Sequence, residues 1–307
     1  MTVATTTRAA EATRNRWLVS GPPLLYLLVF FALPTLIMVL ASFRSPGEFG
    51  GLAPLRDETG ALDVNVDSYV RFFTEPVYAE VFVKSLGFAL ATTVLCLLLA
   101  YPLAALIARS PKKSRDLLLL LVILPFWSNF LIRVYAWMII LGPNAALAKT
   151  VNAVLGWFGA GPVPLLFSSF AVLVCLVYVH LPFMVLPLYA NLEKHDPALL
   201  DAAQDLGANA WRRFWRITFP LSLPGVYAGA ALVFIPALGI FAIPDLLGGP
   251  YDTLIGNLIK QQFLETRDWP FGSVLSIVLT LSALALAGLA AWFGRGATRT
   301  SSEHVRA

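Results

Sequence analysis

Glu193-Lys-His-Asp-Pro-Ala-Leu-Leu-Asp-Ala-Ala-Gln-Asp-Leu-Gly207, continued by Ala-Asn-Ala-Trp-Arg-Arg-Phe-Trp-Arg-Ile-Thr-Phe-Pro220, is a polar island between two long apolar runs. Asp196 ahead of Pro197 sets a helix start, with a side-chain cap and then proline at the first helical position. Leu199, Leu200, Ala203 and Leu206 fall on one helical face, and Asp201 and Asp205, one turn apart, on another. Gly207 stops the helix or turns the chain. The second stretch mixes Arg212, Arg213 and Arg216 with Trp211, Phe214 and Trp215, a composition suited to the headgroup level of a bilayer. Pro220 and Pro224 are expected to end it. The residues alone leave two readings open. One is a short amphipathic helix projecting from the membrane, with Ala202 and Ala203 admitting a close partner. The other is an interfacial helix lying on lipid with no partner.

Outward from this island the chain is apolar. Of its 307 residues 58% are apolar and 13% charged, against about 25% charged in a soluble domain. A bilayer core needs about 20 apolar residues per helix, and six runs qualify, at about 17–43, 85–108, 117–141, 166–190, 223–247 and 272–294. The fold class expected is all-α integral membrane with six transmembrane helices. Pro34, Pro102, Pro125, Pro182, Pro187, Pro236 and Pro244 lie within these runs, where membrane helices tolerate proline as kinks. Residues 1–16 read as a polar tail and 17–43 as a retained first span, too long for a signal sequence. Residues 44–84 read as an extracytoplasmic loop, 85–294 as the transmembrane core with the polar island at 191–222, and 295–307 as a second tail.

With the first tail inside, 14 Lys and Arg residues lie on the cytoplasmic side and 7 outside, with Arg133 within a span, out of 22 in all. That bias places both termini in the cytoplasm. The basic residues form no run and no aromatic-interleaved face, so nucleic acid is not expected as a partner. Cys96 and Cys175 sit in apolar runs as small buried residues, with no metal-ligand or disulfide spacing. Trp17, Trp292 and Tyr251 suit the membrane interface. The acidic 44–84 segment is either an ordinary solvated loop or a docking surface or attractive field for a cationic ligand.

Asp201-Ala-Ala203, Gly207 after three residues, and Ile217-x-Phe219-Pro220 after nine more resemble the E-A-A-x3-G-x9-I-x-L-P loop of permease subunits in ABC-type, binding-protein-dependent importers. Asp stands for Glu at 201 and Phe for Leu at 219. Pro125–Arg133, Leu181–Tyr189, Asp245–Gly249, Ile255–Phe263 and Asp268–Gly272 resemble the polyamine (spermidine/putrescine) branch of that family. The resemblance implies the MetI-like permease fold and a bacterial cytoplasmic (inner) membrane location. It implies that 191–222 is a coupling loop seated in a groove of an ATPase. By residue match Asp201, Ala202, Ala203 and Gly207 are the contacts, with Ile217 and Pro220 completing the motif. Implied partners are a second similar permease, two ABC ATPase subunits, an extracytoplasmic substrate-binding protein and the lipid bilayer. ATP-Mg is then used by the ATPases, and this chain binds no cofactor. Relatives in the same family carry opines, amino acid derivatives or anions, so the ligand stays open within it.

Ionisable groups at membrane depth are functional or paired. Asp245 either meets a ligand ammonium, helped by Trp127, Tyr135 or Phe241 through cation–π contact, or is structural, paired with Arg133 or backbone. His180, beside Pro182, reads as a packing residue. The chain has no G-x-x-x-x-G-K-[ST] phosphate loop, so ATP hydrolysis would belong to another subunit. A stand-alone secondary transporter would show repeated halves and a midplane ion site, and neither is evident. A membrane-bound enzyme lacks any nucleophile–base motif.

Overall fold

The computed structural model describes residues 20–56, 62–159 and 161–303, with 289–303 as backbone only. Trp17, the tail 1–16 and its arginines, and Arg306 lie outside the described residues, as does the side chain of Trp292. Regular structure among the described residues is helical, apart from isolated bridges at Pro46–Leu52 and Arg56–Leu62. Six segments are long and apolar enough to cross a bilayer: Ser20–Ala41, Pro76–Arg109, Phe130–Trp157, Ser169–Leu192, Ala210–Gly239 and Trp269–Gly288. Two compact units divide the chain. One holds residues up to Thr74 with Gln261–Ile277, the other Glu75–Lys260 with Val278 onward.

In the first unit, α1 (Ser20–Ala41) carries a π-turn at Leu28–Ala32 just ahead of Pro34. Its large apolar side chains are mostly exposed, as befits a lipid-facing span. The loop after it is ordered by Asp63. The carboxylate accepts from Ser45 N (2.9 Å), Ser45 Oγ (2.8 Å) and Arg44 Nε (3.2 Å). Arg44 Nη2 also donates to Ala53 O at 2.6 Å. Asn65 Oδ1 accepts from Asp67 N at the start of α2 (Asp67–Thr74). The Ser45 N–H holds the Asp63 carboxyl below its ordinary value of 3.8, with Ser45 Oγ and Arg44 acting the same way. A lowered carboxyl contributes stability above its unfolded value and loses it as pH falls through the folded one. Amide hydrogen exchange at Ser45 is therefore expected to stay slow and flat from pH 7 down to about 4 once corrected for intrinsic rates, and to speed up only in stronger acid. An Asp63→Asn variant should exchange fast throughout.

The second unit is built on α3 (Pro76–Arg109), α7 (Ser169–Leu192) and α9 (Ala210–Gly239), which pack against one another. Cys96, Ala100, Ala104 and Ile107 of α3 meet Val177, Met184, Val185 and Leu188 of α7, and Val226 and Val233 of α9. Small residues set the spacing. A Cβ at Gly225 would lie 2.8 Å from Asn191 Cβ, and one at Gly229 would lie 2.7 Å from Met184 Sδ. This G-x-x-x-G ridge on α9 lets two backbones approach where lipid gives no hydrophobic drive between helices. Cys96, Cys175 and His180 are all buried, and His180 Nδ1 bonds Leu176 O at 2.8 Å.

The helices depart from the apolar runs at three places. First, α3 begins at Pro76, ahead of 85, because Glu75 is extended and proline fills the first helical turn. Second, the 117–141 run is not one helix. It is split between α4 (Lys112–Ile123) and α5 (Phe130–Leu141) by a 3-10 turn at Leu124–Trp127 around Pro125. Asn129 restarts the chain by accepting from Leu131 N, and α6 (Ala146–Trp157) follows. Third, Pro220 and Pro224 do not end the helix before span five. A π-turn at Phe214–Thr218 bonds Phe219 N to Phe214 O and leaves α9 continuous through both prolines. Instead α9 stops at Gly239, inside the 223–247 run.

Candidate functional site

The island between α7 and α9 folds as α8 (Ala198–Asp205). Asp196 Oδ1 accepts from Ala198 N at 3.0 Å, which satisfies one free donor of the first turn. At the other end Gly207 adopts φ +76°. Ala208 N bonds Ala203 O (3.0 Å) and Gly207 N bonds Gln204 O (2.8 Å), the paired bonds of a Schellman close. No residue of α8 is buried. Leu199 is 49% and Leu206 89% exposed, so these two residues of the apolar face read from the sequence are left uncovered by the described residues, while Leu200 and Ala203 are half-buried. Burying one leucine is worth about 1.5–3 kcal/mol, which is available to whatever covers it. Asp201 and Ala202 are exposed and Ala203 half-buried. Asp201 has no ion pair among the described residues.

This short helix is braced against the start of α9. Arg213 Nη1 donates to Gln204 Oε1 at 2.7 Å and reaches Leu200 O at 3.5 Å, tying α8 to the start of α9. Asn209 Oδ1 caps α9 through Arg212 N. Trp211, Phe214, Trp215 and Phe219 pack ring on ring, and Tyr101 of α3 joins them at 5.4 Å from Phe214. The Tyr101 hydroxyl bonds Ser222 Oγ at 2.9 Å. Ile217 lies half-buried in the π-turn and Pro220 is exposed at its exit. The motif thus brings Asp201, Ala202, Ala203 and Gly207 together on α8, with Ile217 and Pro220 at the root of α9.

The charges expected at membrane depth are arranged differently from the sequence reading, and Asp245 lies beyond the span that ends at Gly239. Asp245, in the first turn of α10 (Ala242–Leu247), pairs with Lys260 at 2.6 Å and accepts from Asn257. Both partners lie on α11 (Ile255–Leu264). It does not pair with Arg133, whose guanidinium lies 5.2 Å over Phe126 and 6.0 Å from Phe130. Asp252 is 6% exposed and is held by Ser169 Oγ, Gly249 N and Lys84. Phe167, Asp245, Asp252, Thr253 and Asn257 line a cavity of about 550 Å³. Of the four residues read as a pathway only Asp245 lines it. Phe241 contributes its carbonyl to Asn257 nearby, while Trp127 and Tyr135 are 76% and 49% exposed elsewhere. The partners that bring Asp252, Asn257 and the two lysines to this site, Ser169, Asp245 and each other, are distant in sequence, so the local sequence does not signal the arrangement.

Residues 97–299, which contain α8, all of α7 and α9 and the C-terminal part of α3, match the model of the binding-protein-dependent transport system inner membrane component. The chain belongs to that family. As a member it is a multi-pass inner-membrane permease component. Its curated relatives include the spermidine/putrescine transport system permease proteins PotB of Salmonella typhimurium (strain SL1344) and Escherichia coli (strain K12). Each is 44% identical over 260 residues, covering 83% of this chain and 85% or 89% of the relative. The molybdenum transport system permease protein ModB of Mycobacterium bovis is 30% identical, covering 75% of this chain and 86% of the relative. In three dimensions a chain of a bacterial ABC transporter importing the acidic polysaccharide alginate superposes with TM-score 0.67 at 21% identity. That match covers 94% of this chain and 98% of the other, and it establishes the shared fold of this permease family.

Proposed function

We propose that the chain is one permease half of an ATP-driven importer of polyamines, with α8 as the lever gripped by a separate ATPase. The observation that carries this is α8 itself: a capped, Schellman-closed helix whose Asp201, Ala202 and Gly207 are exposed, with Asp201 in no ion pair among the described residues. The 44% identity to spermidine/putrescine permeases supports the ligand class. The Lys and Arg bias supports placing α8 and both termini in the cytoplasm. A second similar permease completes the pathway, and two ATPase subunits use ATP-Mg. An extracytoplasmic binding protein delivers ligand. The related alginate transporter has been solved with a ligand-bound periplasmic protein, which favours this arrangement. Closure of the ATPases would displace α8, and the braces to α3 and α9 would carry that displacement into the pathway.

The cavity beside Asp245 is where a ligand ammonium would replace that of Lys260, since both are primary ammonium ions of the same chemistry. The exposed rings of Trp127, Tyr135 and Phe241 would offer cation–π faces along the route. Asp245→Asn should then raise the KM for spermidine uptake about tenfold while leaving basal ATPase activity intact. An unchanged KM in a normally assembled complex would remove Asp245 from the pathway.

The function is tested by reconstituting the chain with its second permease, ATPase and binding protein in proteoliposomes. ATPase stimulation by binding protein loaded with spermidine or putrescine is expected, with none by opines or neutral amino acids. Uptake driven by an ion gradient in the absence of an ATPase would contradict the reading.

A further inference from the structure

A second tie lies just ahead of α8 in the chain, at the end of α7. Glu193 caps the C-terminus of α7 and lies just ahead of Asp196, the cap of α8. Its Oε1 accepts from Arg115 Nη1 at 2.5 Å, joining residues 78 positions apart. Arg115 sits in the first turn of α4, with its N–H bonded to Pro111 O. Its Nε is buried without a hydrogen-bond partner among the described residues, as is the Nε2 of His195, two residues beyond Glu193. In the 3-10 turn that follows α4, Phe126 packs edge-on against Phe183 of α7, with centroids 5.0 Å apart. Between these contacts Leu118, Leu119 and Val122 lie against the core cluster. Thus α4 is fixed to α7 at its start and just beyond its end, and it runs from the root of the lever to the break at Leu124–Trp127.

We infer that the Arg115–Glu193 pair is a transmission joint, passing displacement of α8 into α4 and so to the Pro125 break. This rests on the importer reading above. The two side chains are 24% and 38% exposed, and such a pair adds little to folding stability. Its removal should therefore leave the chain folded and change how motion is shared. A packed helix with one charged pin at its driven end is a physical link between two sites, and its coupling is measurable as a ratio. Arg115 and Glu193 act through α4 and are positioning residues.

The test uses the full reconstituted complex carrying Arg115→Gln, Glu193→Gln, or the exchange Arg115→Glu with Glu193→Arg. The readouts are polyamine molecules imported per ATP hydrolysed, and thermal stability in detergent. Each single variant should keep binding-protein-stimulated ATPase activity within about twofold of wild type while the import ratio falls about fivefold, with unchanged melting. The exchange should recover most of the ratio. A ratio unchanged in the single variants overturns the joint. So does a loss that the exchange fails to restore, and so does a parallel fall of ATPase, uptake and melting temperature. If the wild-type complex itself shows no stimulated ATPase activity, the importer reading fails and the joint with it. If the wild type works, only the joint is at stake.

Discussion

Replacing Gly207 by asparagine in the assembled importer is expected to cut uptake about tenfold or more while the chain folds normally. The position has φ +76°, and a Cβ built there meets nothing within 4 Å. Among the described residues the only constraint is therefore the left-handed backbone that closes α8. Asparagine visits that region at small cost, whereas a β-branched residue pays about 1–2 kcal/mol. Asparagine thus preserves the Schellman bonds to Ala203 O and Gln204 O and adds bulk only on the outer side. If an ATPase groove approaches there, that bulk blocks the seat. Stimulated ATPase activity and uptake in proteoliposomes should both fall for Gly207→Asn and Gly207→Val, and melting temperature should fall only for the valine variant. Wild-type uptake by Gly207→Asn with failure of Gly207→Val would show that the glycine serves backbone geometry alone.

The largest expected effect on folding lies at Gly256. A Cβ there would come 2.6 Å from both Gly239 O and Ile240 O, and 2.9 Å from Ile240 C. These are backbone atoms at the end of α9, with no flexible side chain to give way. The preceding Ile255 N donates to the buried Ser85 Oγ at 2.7 Å, which pins the start of α11 to α3. Gly256→Ala must therefore separate α11 from α9 or break that bond. Overpacking of this kind costs about 1–3 kcal/mol, which corresponds to a fall of roughly 5 °C in melting temperature for a chain of this size. Gly87→Ala is the control, because nothing lies within 4 Å of a Cβ there. Equal melting of Gly256→Ala, Gly87→Ala and wild type in detergent would show that the α9–α11 contact is loose.

Local features of α8 were legible in the sequence because they are set by neighbours. Asp196, Pro197 and Gly207 fix the start and end of α8 through bonds spanning two to five residues. The six apolar segments were legible for the same reason, since length and apolarity are local quantities. What escaped was decided by distant partners. Pro220 looks like a stop, but the π-turn at Phe214–Thr218, packed against Tyr101, carries the helix past it. The Arg133–Asp245 pair seemed natural as the two charges at membrane depth. In the fold Lys260 and Asn257, one turn or less apart on α11, reach Asp245 instead. The Gly225–Gly229 ridge was visible as letters, but its meaning needs Asn191 and Met184 opposite it.

The outward-facing α8 is most directly tested by placing a photo-crosslinking residue at Leu206, 89% exposed beside Gly207, in inside-out vesicles holding the whole complex. Adducts with the ATPase subunit are expected, with a yield that changes between nucleotide-free and ATP-bound states. Adducts with lipid alone, or labelling of Leu206→Cys only from the extracytoplasmic side, would contradict a lever gripped by a motor.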